Sequence, residues 1–469
     1  MGRLVKTYFM PHPPIVIPEV AGDRHGLCKN TYDAMMEVGR EIAKIKPKRI
    51  VIISPHGTVF SDGIGALYNH DLYGNLATFG HEDIEVQKRC DMFFVDELAT
   101  EASRSDIVVA KIDEDFAEEL GITYTLDHGA IVPLWFVDQF YKDYDVVHLA
   151  YGLLSPSKLY ELGQNIRTVV KQFAGDTVLI ASGDMSHALK DSGPYDYHPE
   201  GANFDKFVVE AIGKHDFLSI LSYPQKKRES ARECGFRSFC IAFGAHDRML
   251  VDSKVLSYEG PFGVGYMVAG ISEVGGIVPG LLPSIIELSR AEQARRLGLE
   301  DDYVKLARNV INTFVLMGDR PQVDPNDYAI DKEAHGCFVS IKNDSGLRGC
   351  IGTIHPTRDS LIDEIVDNAI KACSEDPRFD PIYEDELADL RVSVDILLPP
   401  EPIESEEDLD PQRYGVIVEA GFKRGLLLPM LEGIETVGEQ LRIAKSKAGI
   451  EDEPYHLMRF KVIRHEADL

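Results

Sequence analysis

The sequence predicts an α/β domain, with a largely parallel sheet flanked by helices, followed by an α+β domain. Short apolar runs in the first half of the chain alternate with helical patterns, as in folds where helices connect neighbouring strands. These runs are apolar on both faces, which is typical of strands covered by helices on both sides. The pattern changes after a glycine- and proline-rich stretch, so we expect a second fold there.

The elements of the first domain follow from this alternation. A helical pattern at 32–45 precedes an apolar strand at 49–53, and a strand at 146–149 precedes a helix at 157–173. A further strand is predicted at 177–181. Polar and glycine residues follow the strands, and in open α/β sheets ligands bind beside such carboxyl ends. We therefore expect the functional site at this edge of the sheet.

The domain boundary is predicted at the glycine-rich stretch. We assign residues 1–275 to the first domain, 276–288 to a linker and 289–469 to the second domain. The second domain mixes both element types, with predicted helices at 289–296, 301–317 and 360–374 and strands at 337–342, 391–398, 415–419 and 425–428. This order favours an α+β fold.

Composition narrows the function classes. The 469 residues include 49 Lys+Arg and 77 Asp+Glu, for a net charge of −28, which would repel phosphate backbones and anionic lipid. We therefore expect no nucleic-acid partner and no membrane partner. No apolar run approaches the roughly 18 residues of a membrane span, and we expect a cytoplasmic protein. Seven scattered cysteines without a CxxC pair argue against a disulfide framework.

Two histidines lie in loops that restrict their movement. His12 is flanked by prolines in the segment MPHPP at 10–14, and prolines fix the local backbone. His56 lies in SPHG at 54–57, directly after a predicted buried strand. Neutral imidazoles on rigid loops are suited to bind a metal ion. The alternative is that each histidine only hydrogen-bonds to backbone, which is the favoured interpretation for a lone histidine.

A third metal ligand is available in the segment ECG at 233–235. Glu233 would complete two histidines and one carboxylate, the facial triad of non-haem Fe(II). Cys234 is the alternative ligand, and a thiolate would favour Zn or Cu. Glu233 can also pair with a neighbouring arginine, so both assignments stay open.

Two further histidines are candidate catalytic residues. His187, in SGDMSH at 182–187, can act as a general base, with Asp184 orienting it or forming a turn. His128 precedes an apolar helix start, where the helix dipole favours an anionic ligand.

Taken in chain order, the segments MPHPP (10–14), SPHG (54–57), LDHG (126–129), SGDMSH (182–187) and ECG (233–235) resemble the LigB-like class III extradiol ring-cleavage dioxygenases over residues 1–272. This resemblance implies an oligomeric α/β protein in which His12, His56 and Glu233 hold Fe(II). It also implies His187 as the acid/base and His128 as a residue that steers substrate or oxygen. The related Memo-like proteins bind metal without an accepted ring-cleaving role, and their Cys-Gly resembles Cys234-Gly235.

The second half resembles the AMMECR-like domain, called AmmeMemoRadiSam system protein A, over residues 290–465. Its signature is LRGCIGT at 347–353. From the residues, Arg348 can lower the thiol pKa of Cys350, and His335 can face the same cleft. The alternative is a buried small cysteine between packing glycines, which is the favoured interpretation.

Two functional hypotheses follow. The first is an Fe(II)-dependent extradiol-type dioxygenase that acts on a catechol-like or other small aromatic substrate, with an accessory C-terminal domain. The second is a Memo-like metal-binding protein, without dioxygenase activity, that belongs to a radical-SAM-associated modification system. We expect a small-molecule substrate for the first, a radical-SAM protein as a partner for the second, and a homo-oligomer from the family resemblance.

Overall fold

A computed structural model describes residues 2–331, 333–343, 346–431, 434, 436–451 and 453–467. The chain divides into two compact units, Met1–Ala291 and Glu292–Leu469. The stretch predicted as a linker, 276–288, contains the end of a strand, Tyr266–Ile277, and the start of a helix, Leu282–Leu299. Secondary structure therefore continues through most of this stretch.

The first unit is built on a central eight-stranded sheet. Its strands and those of a separate hairpin are β1 (Arg3–Met10), β2 (Arg49–Ser54), β3 (Gly63–Leu67), β4 (Asp71–Leu76), β5 (His81–Arg89), β6 (Val108–Ile112), β7 (Asp145–Ala150), β8 (Asp176–Ser182), β9 (Met249–Glu259) and β10 (Tyr266–Ile277). The sheet order is β6-β3-β7-β2-β8-β1-β10-β9, and β4 pairs with β5. The sheet is mixed, because β9 and β10 join antiparallel at one edge and β3 pairs antiparallel with β7.

Helices cover both faces of this sheet. The helices of the first unit are α1 (Pro18–Ala21), α2 (Lys29–Ile45), α3 (Met92–Ser103), α4 (Glu114–Leu120), α5 (His128–Asp138), α6 (Pro156–Gln172), α7 (Pro199–Gly213), α8 (Phe217–Leu221), α9 (Gln225–Ala231) and α10 (Phe236–Gly244). A further helix, α11 (Leu282–Leu299), crosses the boundary between the two units. Helices α2 and α5 form one layer, and α3, α6 and α10 pack together as the other. All six residues of β2 are buried, as its apolar sequence predicts.

Three parallel strands bring their following loops to one edge of the sheet. Strands β2, β8 and β1 are neighbours in that order, and both pairings are parallel. They end at Ser54, Ser182 and Met10 respectively. Because parallel strands end at the same edge, the loops carrying His56, Asp184 and His12 must meet there. The order and direction of these three strands thus bring the three loops together.

The second unit contains two four-stranded antiparallel sheets. Its strands are β11 (Gly336–Asn343), β12 (Gly346–Gly352), β13 (Arg391–Leu397), β14 (Glu401–Ile403), β15 (Gly415–Ala420), β16 (Lys423–Leu427), β17 (His456–Phe460) and β18 (Val462–Glu466). The sheet orders are β12-β11-β13-β18 and β14-β17-β15-β16. Helices α12 (Asp302–Met317) and α13 (Leu361–Ser374) pack against the first sheet, and α14 (Val437–Ala448) packs against the second.

The predicted fold class is confirmed. An α/β unit precedes an α+β unit, and the first sheet combines parallel and antiparallel pairs. Within the part of the chain that the structure describes, no helix is long and apolar enough to cross a membrane.

Candidate metal centre

Three histidines converge at the carboxyl edge of the central sheet. The Nε2 atoms of His12 and His56 lie 2.9 Å apart. His128, the first residue of α5, stacks on His56 with ring centroids 4.2 Å apart and an interplanar angle of 25°. One ring nitrogen from each histidine lies within 4.8 Å of those of the other two. The sheet edge therefore gathers three imidazoles from separate loops.

Hydrogen bonds to Ser182 fix the tautomer of His12. The hydroxyl of Ser182 donates to the backbone oxygen of Gly129 at 2.6 Å, which uses its only hydrogen. Its oxygen must then accept from the Nδ1–H of His12, 2.9 Å away. The Nε2 of His12 consequently carries a lone pair and faces the other histidines.

Burial keeps these rings neutral. It lowers the pKa of His12 well below its usual range, with repulsion from His56 as the next cause. Burial, followed by repulsion from a neighbouring histidine, lowers the pKa of both His56 and His128 to about 4. Neutral imidazole is the form that binds metal ions.

The donor geometry fits one transition-metal ion. Two nitrogens bound at about 2.1 Å would lie about 3 Å apart at a right angle and about 3.4 Å apart at a tetrahedral angle. The Nε2 atoms of His12 and His56 are 2.9 Å apart, close to the first value. Because the Nε2 of His12 carries a lone pair, the Nε2 of His56 must either donate a hydrogen to it or bind the same cation. The Nε2 atoms of His12 and His56 are therefore placed so that one ion could bind both.

Glu233 points its carboxylate at other groups. Its Oε2 accepts a hydrogen bond from the backbone N–H of Phe236 at 2.7 Å, at the start of α10. Its Oε1 lies 3.8 Å from a guanidinium nitrogen of Arg228. Burial raises the pKa of this carboxyl, and Arg228 opposes the shift. Among the described residues, the convergent group contains His12, His56 and His128 without Glu233.

Cys234 lies on the histidine side of the same segment. Its Sγ is 3.7 Å from the Nε2 of His12 and accepts from the backbone N–H of Asp184 at 3.2 Å. Burial raises the pKa of this thiol well above its usual range, and the carboxylate of Asp184 adds to the shift. Among the described residues, both candidates lie outside the convergent group of three histidines. They differ because Cys234 contacts His12, while Glu233 contacts Phe236 and Arg228.

Asp184 lies between His12 and His187. Its Oδ1 accepts the backbone N–H of His12 at 3.0 Å, and its Oδ2 lies 3.8 Å from the Nε2 of His12 and 3.9 Å from the Nε2 of His187. The Nδ1–H of His187 donates to the backbone oxygen of Arg232 at 2.7 Å. The Nε2 of neutral His187 thus has a free lone pair, as a proton acceptor requires.

A second group of polar residues, Ser54, Asp127 and His148, lies beside the histidines and was not predicted from the sequence. Asp127 accepts hydrogen bonds from the hydroxyl of Ser54 at 2.5 Å and from the Nε2 of buried His148 at 2.8 Å. The segment LDHG indicates a helix start, but the contact of Asp127 with His148 on β7 depends on how the strands pair.

The three C-terminal candidates have separate partners. Arg348 makes a two-pronged ion pair with Glu386, at 2.6 and 2.8 Å. The Sγ of Cys350 lies 3.2 Å from the hydroxyl of Ser340. His335 lies 3.8 Å from a carboxylate oxygen of Glu333. A shared role for Arg348, Cys350 and His335 stays a prediction.

Comparison with known proteins assigns the family. The family model described as the catalytic LigB subunit of aromatic ring-opening dioxygenase matches residues 6–269. The chain belongs to the LigB family. Residues 304–468 match the AMMECR1 family, so the chain joins LigB and AMMECR1 domains, as the sequence motifs predict.

Similar proteins match the chain either over nearly its full length or over about a third of it. Protein CA_C1420 of Clostridium acetobutylicum is 37% identical over 463 residues, which cover 98% of each chain. A Thermotoga maritima protein is 50% identical over 173 residues, covering 36% of this chain and 98% of its own length. A solved structure of protein JW3007 from Escherichia coli K12 is 16% identical, with a TM-score of 0.39, and covers 57% of this chain and 99% of its own.

Proposed function

We propose that the LigB domain binds a transition-metal ion on His12 and His56 and opens the ring of a small catechol-type substrate. The observation that carries the metal site is the approach of the two Nε2 atoms to 2.9 Å, with the tautomer of His12 fixed by Ser182. Membership of the LigB family supports the reaction class. When bound, the ion would supply Lewis-acid and redox chemistry toward a chelating diol and oxygen.

His187 supplies proton transfer in this proposal. Its Nε2 lone pair accepts a proton from a substrate hydroxyl and later returns it to the opened product. Asp184, 3.9 Å from that nitrogen, stabilises the imidazolium that forms. The hydrogen bond to the oxygen of Arg232 prevents the ring from rotating away.

The proposed ion is Fe(II), with His128 as the third protein ligand. A facial triad with a carboxylate would use Glu233, but that carboxylate caps α10 and faces Arg228. His128 already belongs to the convergent group. We therefore assign His128 to the position that the sequence resemblance gives to Glu233.

A second candidate function is metal binding without ring opening. It is favoured by the 3.7 Å separation between the Sγ of Cys234 and the Nε2 of His12. A site of two imidazoles and one thiolate suits copper or zinc. In this alternative the domain would be Memo-like and would consume no oxygen.

Elemental analysis of anaerobically purified protein, followed by oxygen uptake on a catechol panel, tests these proposals. The variants are His128→Ala and Cys234→Ala, with His70→Ala as a control because His70 is exposed and pairs with Asp71. Iron that is lost in His128→Ala, with oxygen uptake in the wild type, supports the dioxygenase. Copper or zinc that is lost in Cys234→Ala, without oxygen uptake, supports the second function. No bound metal in the wild type contradicts both.

A further inference from the structure

We propose that Asp127 is the positioning residue of the histidine centre: with the first turn of α5 it sets the places of His12, His56 and His128 before metal binds. This inference rests on the proposed metal site and names the residue that organises it. Asp127 has no atom in the convergent histidine group, and it acts through backbone and hydroxyl contacts.

One connection runs from Asp127 to His56. The Oδ1 of Asp127 accepts the hydrogen of the Ser54 hydroxyl at 2.5 Å. The oxygen of that hydroxyl accepts the backbone N–H of His56 at 3.2 Å. Since Ser54 ends β2 and His56 lies two residues later, these bonds fix the turn that carries the imidazole.

A second connection runs through the helix to His128. Asp127 is the N-cap residue of α5, and its backbone oxygen accepts the N–H groups of Ala130 and Ile131 at 3.0 and 2.9 Å. His128 is therefore held as the first helical residue. A side chain at position 129 would place its Cβ 2.3 Å from the Ser54 hydroxyl, so this close approach needs Gly129.

The same turn also reaches His12. The backbone oxygen of Gly129 accepts the Ser182 hydroxyl at 2.6 Å, and the oxygen of Ser182 accepts the Nδ1–H of His12 at 2.9 Å. The start of α5 thus connects to His56 through Ser54 and to His12 through Ser182, and it carries His128 itself.

His148, on β7, holds the carboxylate of Asp127 by a hydrogen bond. Its Nε2 donates to the Oδ2 of Asp127 at 2.8 Å, and the imidazole is 1% exposed on β7. Because β7 is a central strand beside β2, this bond ties the carboxylate to the rigid sheet. Partners that orient metal-binding histidines typically contribute 10- to 100-fold to metal affinity.

The test is Co²⁺ binding to the full-length metal-free chain, measured by visible absorption and by competition with a chelator. We expect Asp127→Ala, which removes both side-chain contacts, to weaken Co²⁺ binding about 10- to 100-fold and to shift the absorption bands, which report ligand geometry. The control is Asp113→Ala, since Asp113 caps α4 through the N–H of Phe116. This variant should bind Co²⁺ like the wild type.

The outcomes separate this inference from the proposed function. Wild-type affinity and spectrum in a folded Asp127→Ala protein would overturn the positioning role alone. A wild-type protein that does not bind Co²⁺ would overturn both proposals. If Asp127→Ala does not fold, Ser54→Ala removes only the connection to His56 and should still weaken binding and shift the bands. Unchanged binding in Ser54→Ala would then overturn the inference.

Discussion

Replacing Glu233 with alanine separates two roles that its buried carboxylate can have, namely metal ligation and stabilisation of α10. The structure shows the contacts of the second role, and metal ligation by Glu233 stays a prediction. The hydrogen bond from Phe236 satisfies an N–H at the start of α10, and losing such an acceptor costs about 1 kcal/mol. Removing the carboxylate from the half-buried Arg228 side chain costs about 1–3 kcal/mol more.

The expected total is a loss of about 2–4 kcal/mol in the free energy of unfolding, which corresponds to roughly 5–15 °C in the unfolding midpoint. The single tryptophan, Trp135, lies in α5, so its fluorescence follows the first unit. Glu233→Gln is the matched control, because its amide oxygen can still accept from Phe236. This variant should lose less stability than Glu233→Ala.

Metal content decides between the two roles. We expect folded Glu233→Ala to retain the metal of the wild type, because the carboxylate lies outside the convergent histidine group. A folded Glu233→Ala protein with wild-type stability and no metal would refute this reasoning. It would restore Glu233 as the third ligand, as the family resemblance implies.

Three further predictions concern other parts of the chain. Burial raises the pKa of Asp205 to about 7, so the folded protein keeps a proton that the unfolded chain loses near pH 4. The stability of the wild type therefore falls as the pH rises between these two values. Asp205→Asn cannot ionise, so its unfolding midpoint should rise relative to that of the wild type from pH 5 to pH 8. Gly349→Ala should cost about 1–3 kcal/mol in the second unit, because its Cβ would lie 2.1 Å from the oxygen of Ala372. Calorimetry should show this loss without a shift in tryptophan fluorescence, whereas Gly438→Ala, with no atom within 4 Å, should not destabilise the unit. His187→Gln should retain metal and lose turnover on any catechol that the wild type consumes, and unchanged turnover would exclude its proton-transfer role.

The sequence was sufficient to predict the fold class and the sheet edge at which the loops with His12 and His56 meet. The apolar runs at 49–53 and 177–181 form β2 and β8, as predicted. These strands are parallel neighbours, so the loops that follow them lie close together. Prolines beside His12 and glycine after His56 indicated loops with restricted geometry. These signals are local, and a sequence records them directly.

The direction of each side chain in the segment ECG could not be predicted in the same way. Glu233 and Cys234 are adjacent, and the start of α10 decides which one faces the histidines. The spacing of Glu233 to Phe236 is typical of a helix-capping contact and was the available signal. The contact between Asp127 and His148 depends on the pairing of β7 with β2, which no local pattern reveals.

Equilibrium dialysis of the anaerobic, metal-free chain against Fe²⁺ tests most directly whether His12 and His56 form a metal centre. We predict close to one ion bound per wild-type chain and per His70→Ala chain. His12→Ala and His56→Ala should each lose this binding, with tryptophan fluorescence confirming that both variants are folded. Full Fe²⁺ binding by both folded variants would contradict the proposed centre.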